Sequence, residues 1–222
     1  MTAINAIRHG EKLYVSADTA WCDKEGRVVS FESQLAVLSN QRALLWTSAR
    51  GETVQAIAQD VRFQFSTFDE MVDGLKQYLP AIAADHARSI DRDNLFFGKD
   101  GFEVLLFGWS DKRERAEAYE VFATDLKPLE QSVVMPMPKK DNNAKACELI
   151  EFALDFQQSP ESQARDIIDI QRRMPFASAM DNGTVQAHRV GGVIELATVG
   201  PFGVRKESIR SYPDKRGELI AI

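Results

Sequence analysis

The stretch Thr2-Ala3-Ile4-Asn5-Ala6-Ile7-Arg8-His9-Gly10-Glu11-Lys12-Leu13-Tyr14-Val15-Ser16-Ala17-Asp18-Thr19 decides how the rest of the chain is read. Thr2 to Ile7 alternates and is β-prone, Leu13 to Ala17 is a second strand, and His9-Gly10-Glu11 turns the chain between them. With a three-residue loop, position 8 faces position 12 and Thr2 falls opposite Asp18. The hairpin then sets a threonine that follows Met1 beside a carboxylate at one end of a sheet. An N-terminal threonine needs no separate histidine, because its free amine can act as base for its own hydroxyl. The plain alternatives are that threonine is a common second residue and that Asp18 caps the turn after its strand.

Working outward, Asp23 to Arg27 reads as a turn, and a loop-like stretch leads to a strand over Arg42 to Thr47. Ser48-Ala49-Arg50-Gly51 opens a helix with Val54, Ile57, Ala58 and Val61 at helical spacing. Thr67 and Glu70 form a capping box for a second helix, whose apolar face is Phe68, Met71, Val72, Leu75, Leu79 and Ile82, with Pro80 as a kink. Strands follow over 102–109, 115–123 and 132–137, then helices over 144–156 and 162–174, the latter capped by Ser159-Pro160-Glu161. Gly191 to Val199 and Val204 to Tyr212 close the chain as a strand pair around Gly200 to Gly203. Strands grouped apart from helix pairs predict an α+β fold of packed sheets flanked by helices, not a doubly wound parallel sheet.

Composition narrows the function classes. At 222 residues the chain suits one domain over 1–222. A net charge of −6 favours neither nucleic acid nor an anionic membrane as partner. The longest apolar runs are far too short to span a bilayer, and Met1-Thr2 opens no secretory signal, so a reduced, cytoplasmic protein is expected. Cys22 and Cys147 lack metal-like spacing, and none of His9, His86 and His188 has a second histidine at ligand spacing. No metal and no cofactor is predicted. Trp21, Trp46 and Trp109 read as core or sheet-edge aromatics.

The segments Thr2 to Ile7, Tyr14-Val15-Ser16-Ala17-Asp18-Thr19, Phe102 to Asp111 with Tyr119-Glu120-Val121, and Val190 to Leu196 together resemble a proteasome β-type subunit of the N-terminal-nucleophile (Ntn) hydrolase superfamily. The resemblance implies a four-layer αββα sandwich and a homo-oligomer, usually a ring. It assigns the nucleophile to Thr2 once Met1 is removed, and the orienting aspartate to Asp18. The family's lysine falls at Gln34, sixteen residues after Asp18, and Lys24 is the one lysine between Asp18 and Lys76. Glutamine cannot supply the positive charge that lowers the threonine's effective pKa. The family's glycine with its oxyanion-hole amide falls near Ser48, where a backbone donor survives. Ser132, Asp166 and Asp181 are candidates for the later serine and aspartate by location alone.

Three readings follow. One is a threonine-type peptidase or amidohydrolase acting on a peptide or amide through Thr2. The second is a non-catalytic relative that keeps the sandwich and its assembly surfaces. The third is a small-molecule amidase with an altered site. Gln34 in place of lysine turns the expectation toward an impaired or non-catalytic relative, with active Thr2 chemistry as the alternative.

Overall fold

A computed structural model describes residues 3–23, 25–47, 51–75, 104–121, 126–135, 140–154, 158–180 and 183–222. The chain opens with β1 (Ile4–His9) and β2 (Lys12–Asp18), paired antiparallel as the alternation predicts. The loop is one residue shorter than the sequence reading has it, because His9 pairs with Lys12. Gly10 takes a φ of 61° at the first of the two loop positions, where a two-residue hairpin calls for glycine. The ladder ends at Ile4–Ala17, so the residue that comes into line with Asp18 is Ala3 and not Thr2.

A short pair follows, β3 (Ala20–Cys22) and β4 (Val28–Phe31), then β5 (Leu35–Leu38) and β6 (Ala43–Thr47). Helix α1 spans Gly51–Gln64 and α2 is described over 68–75. Next come β7 (Val104–Ser110), β8 (Arg115–Val121), β9 (Leu126–Pro128) and β10 (Val133–Met135). Helices α3 (Lys140–Ala153) and α4 (Pro160–Arg172) lead to a hairpin of β11 (Phe176–Met180) and β12 (Gly183–Ala187). The closing pair is β13 (Val193–Gly200) and β14 (Gly203–Ser211). One five-stranded sheet has the order β10-β1-β2-β13-β14, and the other β5-β6-β7-β8-β9; every pairing in both is antiparallel. The architecture is α+β.

Side-chain alternation explains how these pieces pack. Ile4 and Ala6 of β1, Val15 and Ala17 of β2, and Ala197 and Val199 of β13 meet Leu44, Trp46, Leu105, Phe107 and Trp109 in a core between the two sheets. The alternate residues Ala43, Leu45, Val104 and Leu106 face outward and bury Val54, Ile57, Ala58 and Val61 of α1 with Phe68, Met71 and Leu75 of α2. Strands covered on both faces read as continuous apolar runs, which is why 104–107 is the plainest strand in the sequence. On the first sheet's outer face, α4 brings Ile168 to Ala3, Val190 and Ile194, and Ile167 to Ile7. Each fully buried Leu, Ile or Phe here is worth about 1.5–3 kcal/mol relative to exposure. A buried polar pair crosses that interface: Asn5 and Gln171 exchange two amide hydrogen bonds of 2.9 Å.

The caps fall where the sequence puts them. Thr67 Oγ1 accepts from Glu70 N at 3.1 Å, and Glu70 Oε2 accepts from the amides of Ser66 and Thr67. Ser159 caps α4 by accepting from Ser162 N, with Pro160 at its first position. Three expectations are corrected. The loop-like stretch before Arg42 contains β4 and β5, too short to show a period. The β11–β12 hairpin has no counterpart in the sequence reading. The third helix begins earlier than 144 and ends at Ala153. The strands expected over 115–123 and 132–137 are described over Arg115–Val121 and Val133–Met135, and residues 122, 123, 136 and 137 lie outside the described residues. Leu79, Pro80, Ile82 and His86 lie outside the described residues. No helix among the described residues is long and apolar enough to cross a membrane.

Candidate functional site

Asp18 ends β2, fully buried. Its Oδ1 accepts the amide of Ala3 at 2.7 Å, and its Oδ2 accepts the amide of Gly191 at 2.7 Å. One carboxylate therefore ties the start of β1, the end of β2 and the segment entering β13. Burial pushes its carboxyl up to about 7, against the opposing pull of the Gly191 and Ala3 amides. A carboxyl in that range exchanges its proton near neutrality, the property a general acid or base requires. Cys22, on β3, is also buried, and burial followed by the Asp18 charge pushes its thiol up to about 12. That thiol is inert at neutral pH.

The segment that meets Asp18 is held residue by residue. Arg189 O accepts from Cys22 Sγ at 3.7 Å, Val190 O from Arg172 at 2.9 Å, and Gly191 O from the amides of Thr19 and Ala20. Gly192 N donates to Asp214 at 2.8 Å, and Val193 N donates to Thr19 Oγ1 at 2.9 Å. Gly192 has a φ of 76°, and a Cβ there would stand 2.6 Å from Thr19 Oγ1. The left-handed backbone and the close approach both require glycine.

Gln34 lies just before β5, fully buried, and neither its Nε2 nor its Oε1 has a hydrogen-bond partner. The structure does not join it to Asp18. Its neighbours are anchored: Glu32 N donates to Thr19 O at 2.8 Å, and Ser33 Oγ donates to Glu195 at 2.5 Å. A lysine does reach the chain on both sides of Gln34. Lys206 Nζ lies 2.8 Å from Ser33 Oγ and 3.5 Å from Leu35 O, but Glu195 neutralises it at 3.1 Å. Thr2, Ser48, Lys24 and Asp181 lie outside the described residues. Asp166 is exposed on α4 and Ser132 is partly exposed beside β10, and the Asp18 carboxylate bonds to the Ala3 and Gly191 amides instead.

Sequence reasoning missed Arg172 and Asp214. They form a doubly hydrogen-bonded pair at 2.8 and 2.6 Å, with side chains 8% and 1% exposed, against the same Gly191-Gly192 segment. The consecutive glycines before a strand were the available signal, since they mark a close backbone approach. Nothing in the sequence near Asp214 points to its role. Among the described residues no group of His, Cys, Asp and Glu side chains could hold a metal ion. Comparison with known proteins gave no matching family model and no matching curated relative, so function is argued from the geometry.

Proposed function

We propose that this chain is a proteasome β-subunit-like protein of the Ntn-hydrolase type, and a catalytically impaired or non-catalytic relative of the threonine peptidases. The observation that carries the reading is the Asp18–Ala3 hydrogen bond of 2.7 Å, taken with a Gln34 that is buried and uncharged. Asp18 grips the amide immediately after Thr2, where an aspartate orienting an amino-terminal nucleophile belongs. Gln34 occupies the lysine's place in the resemblance without a charge. A nucleophile that lacks its electrostatic partner loses on the order of a hundredfold or more in rate. The layer order supports the same reading: helices outside one sheet, two sheets sharing a core, helices outside the other. A four-layer αββα arrangement, which the resemblance implies, would have this layer order. Assembly with copies of itself, as a ring, belongs to this proposal, as does a reduced cytoplasmic setting; Cys22 and Cys147 are both free thiols.

The intact mass of the purified protein, before and after excess of a threonine-reactive β-lactone, tests the reading. A protein that keeps Met1, or one that loses it and takes no adduct, is the expected result. A Met1-free protein that gains one adduct at Thr2 overturns it in favour of an active amidohydrolase or peptidase.

A further inference from the structure

The Val190-Gly191-Gly192 segment is gripped from two sides by one ion pair. Arg172 Nη1 donates to the Val190 carbonyl at 2.9 Å, and Asp214 Oδ2 accepts the Gly192 amide at 2.8 Å. Arg172 and Asp214 are bonded to each other by both guanidinium nitrogens. Between these two grips the Gly191 amide is left to Asp18 Oδ2 at 2.7 Å. The fit is tight, since a Cβ on Gly191 would stand 2.4 Å from Asp214 Oδ2 and 2.6 Å from Arg172 Nη1. Arg172 is fixed in turn by the Ala221 carbonyl at 2.7 Å and by the Tyr212 ring, 4.1 Å from its guanidinium carbon. Stability is a poor account of such a pair, because apolar replacements of a buried ion pair are often neutral or stabilising. What the pair does by geometry is fix the direction of one peptide N–H.

We infer that Arg172 and Asp214 are positioning residues for Asp18: they hold the Val190–Gly192 peptides so that the Gly191 N–H is delivered to the carboxylate that also holds the Ala3 amide. On this account segment 212–222, which supplies Asp214, Tyr212 and Ala221, is a working part of the amino-terminal site. The inference rests on the proposed function only for the importance it gives Asp18.

The test is a ¹³C titration of the Asp18 carboxyl in the full chain, with hydrogen exchange of the Gly191 and Ala3 amides. The variant is the double replacement Arg172→Met with Asp214→Leu, which removes both charges together and leaves the net charge unchanged. Cys22, the titratable neighbour that feels the Asp18 charge, is kept. The Asp18 midpoint should rise by about half a pH unit or more, as one donor to its ionised form loosens. Exchange at Gly191 should quicken by about tenfold or more. Thr67→Ala, at the α2 cap, lowers stability without touching this cluster; it should leave the Asp18 midpoint in place and quicken Gly191 exchange by no more than its loss of global stability accounts for. A double variant with the wild-type midpoint and wild-type Gly191 exchange overturns the inference. If that variant does not fold, Asp214→Asn decides through exchange alone: unchanged protection of Gly191 and Ala3 again overturns it. The β-lactone mass experiment reads neither quantity, so the two ideas fail separately.

Discussion

Ala3 and Asp18 are joined by a main-chain to side-chain hydrogen bond of 2.7 Å, one step past the last ladder pair of β1 and β2. Burial raises the Asp18 carboxyl from 3.8 to about 7, so the folded state holds that proton more tightly than the unfolded chain. The sign follows: the contribution to stability is fully present below about pH 4 and is lost as pH rises through about 7. At about 1.4 kcal/mol per unit, the loss is on the order of 4 kcal/mol. Denaturant unfolding of wild type and Asp18→Asn across that window checks it. The wild type should lose stability relative to the variant as pH rises, and parallel pH profiles would contradict the assignment.

Gln34 buries an amide with two unpartnered atoms. Replacing it by methionine, of similar length, removes the unsatisfied groups and should raise stability by about 1–2 kcal/mol in urea unfolding. A lower stability would mean that the amide has a partner in solution.

Gln34→Lys should raise covalent labelling of a Met1-free Thr2 by about a hundredfold, by restoring a positive charge at the resemblance's lysine position. Lys206 does not already supply that charge, because Glu195 neutralises it. If the substituted protein takes no label, the missing charge is not what silences Thr2.

Asp69, on the first turn of α2, accepts from Ser110 Oγ, from the amides of Asp111 and Lys112, and from Arg113. It is the single clasp between that helix and the β7–β8 turn among the bonds of the described residues, apart from the exposed Lys112–Asp73 pair. Asp69→Ala should cost about 2–4 kcal/mol, several lost bonds at a largely buried carboxylate, against about 1 kcal/mol for the Thr67→Ala cap variant. Unfolding curves of the two variants compare them directly.

Gly108 faces the Phe68 ring so closely that a Cβ would stand 2.0 Å from it. Gly108→Ala should destabilise by about 1–3 kcal/mol, and Phe68→Leu added to it should recover part of the loss. A double-mutant cycle showing no coupling would mean the two are not packed against each other in solution.

Periodicity made the long elements legible. Helix α1, the capping box at Thr67, the Ser159 cap and the run 104–107 announce themselves because each repeats a period or a cap over enough residues to be distinctive. Elements of three to five residues, such as β4, β5 and the β11–β12 hairpin, carry too few side chains to set a period. The turn at Gly10 shows a subtler limit: a one-residue difference in loop length shifts every cross-strand partner, and alternation alone does not fix it. Asp18 was legible as a candidate because it shares a hairpin with Thr2. Arg172 and Asp214 were not, because they meet Gly191 and Gly192 only through tertiary packing, and Asp214 sits in an irregular segment with no pattern around it.

The strand order carries a consequence for how the chain reaches its native state. β2 pairs with β1 on one side and with β13 on the other, so one edge of the first hairpin stays open until residues 193–199 arrive. The bond from Gly191 to Asp18 likewise closes a separation of 173 residues. Contacts of that range form slowly, and an open β edge invites pairing with other chains meanwhile. During synthesis the amino-terminal hairpin is made early and completed last, and the Asp18 cluster assembles only when the final strand pair docks.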